Sequence, residues 1–256
     1  MTTISDLEKY LATIAPWDLQ LSFDNSGFLI GNPSSEVENV LLSLDITDDV
    51  VQEAIDCKAQ CIVSHHPILF HPVSTLVETP ENRKILRMIE HHIAAICLHT
   101  NLDIADGGVN DVLLSLFSAE KQDFLDNDHC GRIGILPEPL PLYAFLSQCK
   151  SVLQTNGLRY YDAGNPVLRI AVMGGSGGSA VRDAFEKGCD TYLTSDIKYH
   201  DFILASELGI NLIDGDHYCT ENPIMYVLEE KLTAAFPSVS FSIAKSHKQL
   251  ISFYPA

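Results

Sequence analysis

The sequence of 256 residues has few basic side chains, with 16 Lys and Arg against 34 Asp and Glu and a formal net charge of −18. Binding to nucleic acid depends largely on lysine and arginine side chains that neutralise phosphates, and no basic stripe offsets the deficit. We therefore do not expect a nucleic-acid-binding protein. An anionic substrate would need much of its local positive charge from metal cations.

The chain also lacks a long apolar run and a cysteine motif. No stretch approaches the ~18 apolar residues of a transmembrane helix, and residues 1–6 have neither the basic nor the apolar region of a signal peptide. The 7 cysteines are scattered and form no CxxC pair, which argues against a disulfide framework or a cysteine-type zinc site. These features predict a cytoplasmic protein that does not enter a membrane.

Two adjacent histidines, His65 and His66, stand just after the apolar run Cys61-Ile62-Val63 and directly before Pro67. A short apolar run that is then broken is typical of the C-terminal end of a buried strand, where open α/β sheets gather their chemistry. Because consecutive strand side chains point to opposite faces, both imidazoles reach one site only if the chain turns there. Neutral imidazole is the commonest protein ligand for transition metals, so we interpret both histidines as metal ligands.

Further apolar strands also end in groups that can bind metal. One is followed by His99 and Asp103, and another by His217 and Glu221. The histidine and glutamate of the second pair share one face if a helix begins at the histidine. Each residue alone has an ordinary explanation, such as a helix cap for Asp103 or an interaction with a helix dipole for Glu221. Together these imidazoles and carboxylates suffice for a dinuclear centre of zinc, manganese or iron.

Apolar strands alternate with helical segments along the chain. A strand over 37–44, a helix beginning at Thr47 or Asp48 and the strand before His65 make a β-α-β unit, which implies parallel strands and a right-handed crossover. We therefore expect an α/β protein with mostly parallel sheets. The polar, turn-rich stretch 124–132 is our candidate for a boundary between lobes.

The second half of the sequence repeats part of the first. The segment 51–55 resembles 181–185, and at the same offset residues 62–66 fall on 192–196. Chance similarity between two β-α-β units is the alternative interpretation. We expect two duplicated α/β/α lobes, with a C-terminal segment that can return to the first. The expected lobes are 1–125 and 126–256.

Three loops allow a structural and a functional interpretation. The glycine-rich stretch Gly174–Gly178 can be a tight turn or can cradle a phosphate with its backbone N–H groups, although it lacks the Walker ending. The turn Asp24–Gly27 can belong to a hairpin or bulged loop, or it can line a site. The loop Asp196–His200 can line the cleft or be a solvated connection.

Ordered motifs span nearly the whole chain. They are Asp24-Asn25-Ser26-Gly27-Phe28-x-x-Gly31, Ser64-His65-His66-Pro67-x-x-Phe70, His99-Thr100-Asn101-Leu102-Asp103 with Gly107-Gly108-Val109-Asn110-Asp111, Ser195-Asp196-x-x-Tyr199-His200 and Gly215-Asp216-His217-x-x-x-Glu221. This set resembles the GTP cyclohydrolase I type 2-like family, also called the NIF-three-like family. The chain looks like the short form, without the inserted middle domain of longer members.

The resemblance implies a duplicated, intertwined α/β/α fold and a ring-shaped homohexamer whose metal sites face an inner cavity. It also implies two divalent metal ions per chain, with Asp103 or Glu221 as the bridging group. His99 would be an extra ligand or would support a ligand from behind. The implied metal ligands are His65, His66, Asp103, His217 and Glu221.

These implications favour a metal-dependent hydrolase acting on a nucleotide-like or phosphorylated substrate, for example at C8 of a guanine ring. We assign no catalytic residue, although the loop Asp196–His200 is placed where it can move protons. The alternative is a non-enzymatic metal-binding ring or an interaction protein. Bound metal without turnover would distinguish the second function from the first.

Overall fold

The computed structural model describes residues 1–254 and contains two compact units. One unit is Met1–Ala105 together with Met225–Lys248, and the other is Asp106–Ile224 together with the C-terminal residues from Gln249 onward. The expected duplicated lobes, 1–125 and 126–256, stay a prediction, because a division into compact units does not test whether two segments arose by duplication. No helix among the described residues is long and apolar enough to cross a membrane.

Strands and helices alternate along much of the chain. The strands are β1 (Gly27–Ile30), β2 (Asn39–Ser43), β3 (Cys61–Ser64), β4 (Ala94–Cys97), β5 (Glu120–Phe124), β6 (Arg132–Leu140), β7 (Arg159–Tyr161), β8 (Val167–Ser176), β9 (Thr191–Ser195), β10 (Asn211–Asp214) and β11 (Ser240–Ile243). The helices are α1 (Ile4–Ile14), α2 (Asp48–Asp56), α3 (Arg83–Glu90), α4 (Thr100–Ile104), α5 (Val109–Ser115), α6 (Leu142–Val152), α7 (Val181–Glu186), α8 (Tyr199–Leu208), α9 (His217–Glu221) and α10 (Pro223–Ala235).

The sheet of the first unit has the strand order β1-β4-β3-β2-β11. Its strands run parallel except β1, which pairs antiparallel with β4. Every residue of β3 is buried, as expected for a parallel strand that is covered on both faces. Helix α2 begins where the sequence predicts, because the Thr47 side chain accepts a hydrogen bond from the Val50 N–H. Val50 and Ile62 then meet in the core of this unit.

The sheet of the second unit has the order β5-β6-β8-β9-β10-β7. Strands β8, β9 and β10 are parallel, whereas β5, β6 and β7 join through antiparallel pairs. The α/β class is therefore confirmed, and the strand directions are mixed, not strictly parallel. The stretch 124–132, proposed above as a lobe boundary, connects the antiparallel strands β5 and β6 inside this unit.

The two sheets share a local topology. In each, three parallel strands follow one another in the sheet, and an antiparallel strand pairs with the last of them along the chain: β2-β3-β4 with β1, and β8-β9-β10 with β7. Strands β3 and β9 therefore hold equivalent central places. The candidate ligands follow the carboxyl ends of β3, β4 and β10, where open α/β sheets commonly gather their chemistry, and Asp196 follows β9.

Candidate metal centre

His65 directly follows β3 and its side chain is fully buried. Its Nδ1 lies 2.7 Å from the carbonyl oxygen of Leu98. Because a carbonyl oxygen only accepts hydrogen bonds, Nδ1 carries the proton, and the neutral ring keeps its lone pair on Nε2. That Nε2 lies 3.7 Å from Oδ1 of Asp103, in α4. The ring thus has the tautomer of a metal ligand and faces a carboxylate.

His66 and His99 are oriented in the same way by carboxylates. Nδ1 of His66 lies 2.9 Å from Oδ1 of Asp45, and Nδ1 of His99 lies 2.7 Å from Oδ1 of Asp24. The chain turns after β3, so the rings of the two adjacent histidines come within 5.0 Å, measured between centroids. One ligand atom from each of His65, His66 and His99 lies within 4.8 Å of the others. The first unit therefore gathers three imidazoles at the ends of β3 and β4.

Asp24 supports the imidazole group from behind, a role that its sequence context alone does not indicate. Its carboxylate is buried and also accepts hydrogen bonds from the backbone N–H and the hydroxyl of Thr100. Burial alone would raise the pKa of Asp24, but the hydrogen bonds from His99 and Thr100 outweigh it and hold the pKa well below its usual range. The turn Asp24–Gly27 thus lines the imidazole group, which is the functional alternative considered for it above.

His217 and Glu221 are the first and last residues of α9 in the second unit. The helix starts there because the Asp216 side chain caps it, accepting a hydrogen bond from the Cys219 N–H. Nε2 of His217 lies 3.1 Å from Oε2 of Glu221. Nδ1 of His217 lies 2.8 Å from Oδ2 of Asp196, the residue after β9. This histidine is held from behind by a carboxylate, like His66 and His99.

Three N–H groups of the glycine-rich stretch are engaged within the protein, and the stretch packs against Glu221. The N–H of Gly174 donates to Asn110, that of Gly175 to Thr220, and that of Gly177 to the Gly175 carbonyl. Gly175 has φ +65°, and a Cβ on it would collide with the carboxylate of Glu221. Its bare Cα leaves the space that this carboxylate occupies.

A cavity in the first unit lies apart from the candidate ligands. It has a volume of about 700 Å³ and is lined mainly by apolar side chains of β1, α3 and the loop after Pro67. None of His65, His66 and His99 lines it. This cavity therefore does not belong to the candidate metal centre.

The fold and these donor groups define an α/β protein with histidine and carboxylate clusters at its strand ends. A family model described as Duf34/NIF3 (NGG1p interacting factor 3) matches residues 2–249. The chain belongs to this family, which confirms the resemblance found in the sequence motifs.

Individual relatives are similar to this protein over nearly its full length. A protein of Clostridium perfringens named "GTP cyclohydrolase 1 type 2 homolog" is 32% identical, covering 98% of this chain and 99% of the relative. The solved structure of Staphylococcus aureus protein SA1388 matches with a TM-score of 0.89 at 27% identity, covering 99% of both chains. Reduced HcgD from Methanocaldococcus jannaschii matches with a TM-score of 0.84 at 27% identity, covering 94% of this chain and 96% of that one.

Proposed function

We propose that the protein binds divalent metal ions and uses them to hydrolyse a nucleotide-like substrate. The first ligand set is His65, His66 and Asp103, with His99 beside them, and the second is His217 and Glu221. One observation carries the proposal: every histidine of both sets has its Nδ1 held by an oxygen atom. Such support from behind is characteristic of metal-binding histidines, since it fixes the tautomer and turns Nε2 towards the ion.

The donor types fit a divalent transition metal. Imidazole nitrogen and carboxylate oxygen together suit zinc, manganese and iron, and when bound such ions act as Lewis acids and lower the pKa of water towards neutrality. The chain's own residues determine which atoms around the ions carry a proton. Asp24, Asp45 and Asp196 each keep a proton on the Nδ1 that they face. Asp45 and Asp196 are about half exposed, whereas Asp24 is buried, so Asp45 and Asp196 can also exchange a proton with a substrate.

We further propose two ions per chain and a homohexamer in the cytoplasm. The family resemblance supports the ring, and the free cysteines support a reducing compartment. Elemental analysis should give two ions per chain in the wild type, and one each in His65→Ala and Glu221→Gln. Spin coupling between bound Mn²⁺ ions tests whether the two sets serve one dinuclear centre. Light scattering after gel filtration tests the hexamer.

GTP is the first substrate to test, because the similar curated proteins carry the name of a GTP cyclohydrolase homolog. GTP would be incubated with protein loaded with Mn²⁺, Fe²⁺ or Zn²⁺ and separated by chromatography. We expect a ring-opened product that requires metal and is lost in Asp103→Ala. Asp106→Ala is the matched control, since the Asp106 side chain is 87% exposed, and it should retain the product.

Unchanged GTP in the presence of two bound ions would reject this substrate. A screen of phosphoesters and other nucleotides would then decide between a hydrolase of another substrate and the non-enzymatic metal-binding role. Turnover that persists in Asp103→Ala would contradict the assignment of this residue.

A further inference from the structure

Phe70 lies at the centre of an aromatic cluster that reaches His99. The Phe70 ring centroid is 6.0 Å from that of His99, with the ring planes at 84°, and 4.8 Å from that of His71, at 68°. Phe23 follows at 6.5 Å and 59°. The pairs of Phe70 with His99 and His71 are edge-to-face and attractive, because the ring edge is positive and the face negative, whereas Phe23 is tilted against Phe70. The cluster therefore leads from the first ligand set towards the surface.

Two rings of this cluster remain accessible to solvent. Phe23 is 62% exposed and Phe70 is 37% exposed. Single exposed apolar side chains are ordinary on protein surfaces. Two neighbouring aromatic rings beside a group of imidazoles are a different case, since apolar patches next to polar sites mark places where ligands bind.

The loops that carry these rings are fastened to the ligand set and to each other. Asp24, the neighbour of Phe23, accepts the hydrogen bond from His99. Asn25 donates a side-chain hydrogen bond to the carbonyl of Leu69, the neighbour of Phe70. A ligand that stacks on rings held in this way loses little affinity to the ordering of loops.

We propose that Phe70, with Phe23 tilted beside it, forms a stacking platform for the purine base of a nucleotide whose reacting part lies at His65, His66 and His99. This inference rests on the proposed function and names the chemical class of its substrate. A purine presents a flat π-face to an aromatic ring. The net charge of −18 gives the chain little long-range attraction for a nucleotide, so stacking supplies affinity that electrostatics does not.

The test is calorimetric titration of the full-length, metal-loaded protein with guanosine monophosphate and, separately, with ribose 5-phosphate. Phe70→Leu keeps an apolar side chain but removes the π-face. It should weaken the binding of guanosine monophosphate about 5- to 150-fold, the range of measured base-stacking effects, and leave that of ribose 5-phosphate unchanged. Phe70→Tyr should bind like the wild type. Tyr226→Leu is the matched control, at an aromatic residue that is 58% exposed and outside the cluster.

The experiment distinguishes a failure of this inference from a failure of the proposed function. Wild type that binds guanosine monophosphate, with the same Kd in Phe70→Leu and Phe23→Leu, overturns the platform and leaves the nucleotide substrate standing. An equal loss for both ligands in Phe70→Leu also overturns it, since the ring would then act only through the structure of the site. Metal-loaded wild type that binds neither ligand rejects the nucleotide-like substrate itself. Unchanged metal content and melting temperature in the variants confirm that each is folded.

Discussion

Asp24 and His99, 75 residues apart in the sequence, are joined by a hydrogen bond of 2.7 Å from the imidazole Nδ1 to the carboxylate. The bond ties the loop before β1 to the end of β4. It also holds the His99 ring with Nε2 towards His65 and His66. The loop therefore supports the first ligand set from behind, although it contributes no ligand itself.

Replacing Asp24 with Asn should weaken metal binding at the first ligand set. The amide has nearly the same shape, but it no longer polarises the imidazole through a charged acceptor. We expect an affinity about 10- to 100-fold lower, the usual effect of losing such a supporting carboxylate, measured by competition with a chelator. Asp49→Asn, at an exposed position of α2, is the control. Equal affinities in the two variants would show that Asp24 only stabilises the loop.

Substituting Gly175 with Ala should displace the Glu221 carboxylate and remove the ion bound by the second ligand set. Gly188→Ala is a matched control, since Gly188 has φ +74° and open space around its Cα. Both variants place a Cβ in the left-handed region and should lose about 1–2 kcal/mol of folding stability. Only Gly175→Ala creates the collision with Glu221. Elemental analysis and thermal unfolding measure the two effects, and full metal content in Gly175→Ala would refute the account.

Asp111 should make folding stability depend on acid pH. Burial opposes its ionisation, but hydrogen bonds from Lys121, Gly107 and Arg132 dominate and lower its pKa. A carboxyl whose pKa is lower in the folded state contributes stability above its unfolded pKa of about 3.9, and this is lost as the pH falls through the folded pKa. Urea unfolding from pH 7 to 3 should show this loss in the wild type.

The Asp111→Asn variant separates this contribution from that of other acids. Its stability should be lower by on the order of 3 kcal/mol at neutral pH, because it leaves the buried Arg132 guanidinium without its carboxylate. Its acid-dependent decline should be shallower than that of the wild type. Parallel curves for the two proteins between pH 5 and 3 would assign the dependence to other groups.

Zinc should stabilise the folded protein, because the ligand sets exist only when the chain is folded. At about 100 times its Kd, Zn²⁺ should raise the free energy of unfolding by about 2.7 kcal/mol for each independent site. The increment should fall in His65→Ala and remain in His91→Ala, which removes an exposed histidine. Urea unfolding with and without a chelator measures it. An equal increment in the two variants would indicate adventitious binding.

The sequence was sufficient to predict the ends of the central strands. The apolar run before His65, followed by Pro67, identified β3. The start of α2 was predicted at Thr47 or Asp48, and the structure places the cap at Thr47. These are local signals, since strand burial and helix capping depend on residues only a few positions apart. The pairing of His217 with Glu221 was predicted on the condition that a helix begins at His217, and α9 meets that condition.

Partners that are distant along the chain could not be predicted in this way. Aspartate is an ordinary surface residue, so no local pattern indicates the role of Asp24, Asp45 or Asp196. Only the folded chain brings each of them to its histidine. Strand β5 was missed because its side chains are almost all exposed, so it lacks the apolar alternation of a half-buried strand. Strand β6 contains Pro137 and Pro139, which usually argue against a strand.

The pairing of β11 with β2 sets the order in which the protein can fold during its synthesis. Strand β11 leaves the ribosome roughly 200 residues after β2, which corresponds to about 10–40 s at ~5–20 residues per second. During that time one edge of β2 has no strand beside it, and open edges favour association with other chains. Residues 106–224 emerge in one piece and can form their contacts first. Newly made chains therefore need protection from association with other chains chiefly at the sheet of the first unit. A nonsense mutation shortly before Ser240 would leave the edge of β2 open permanently.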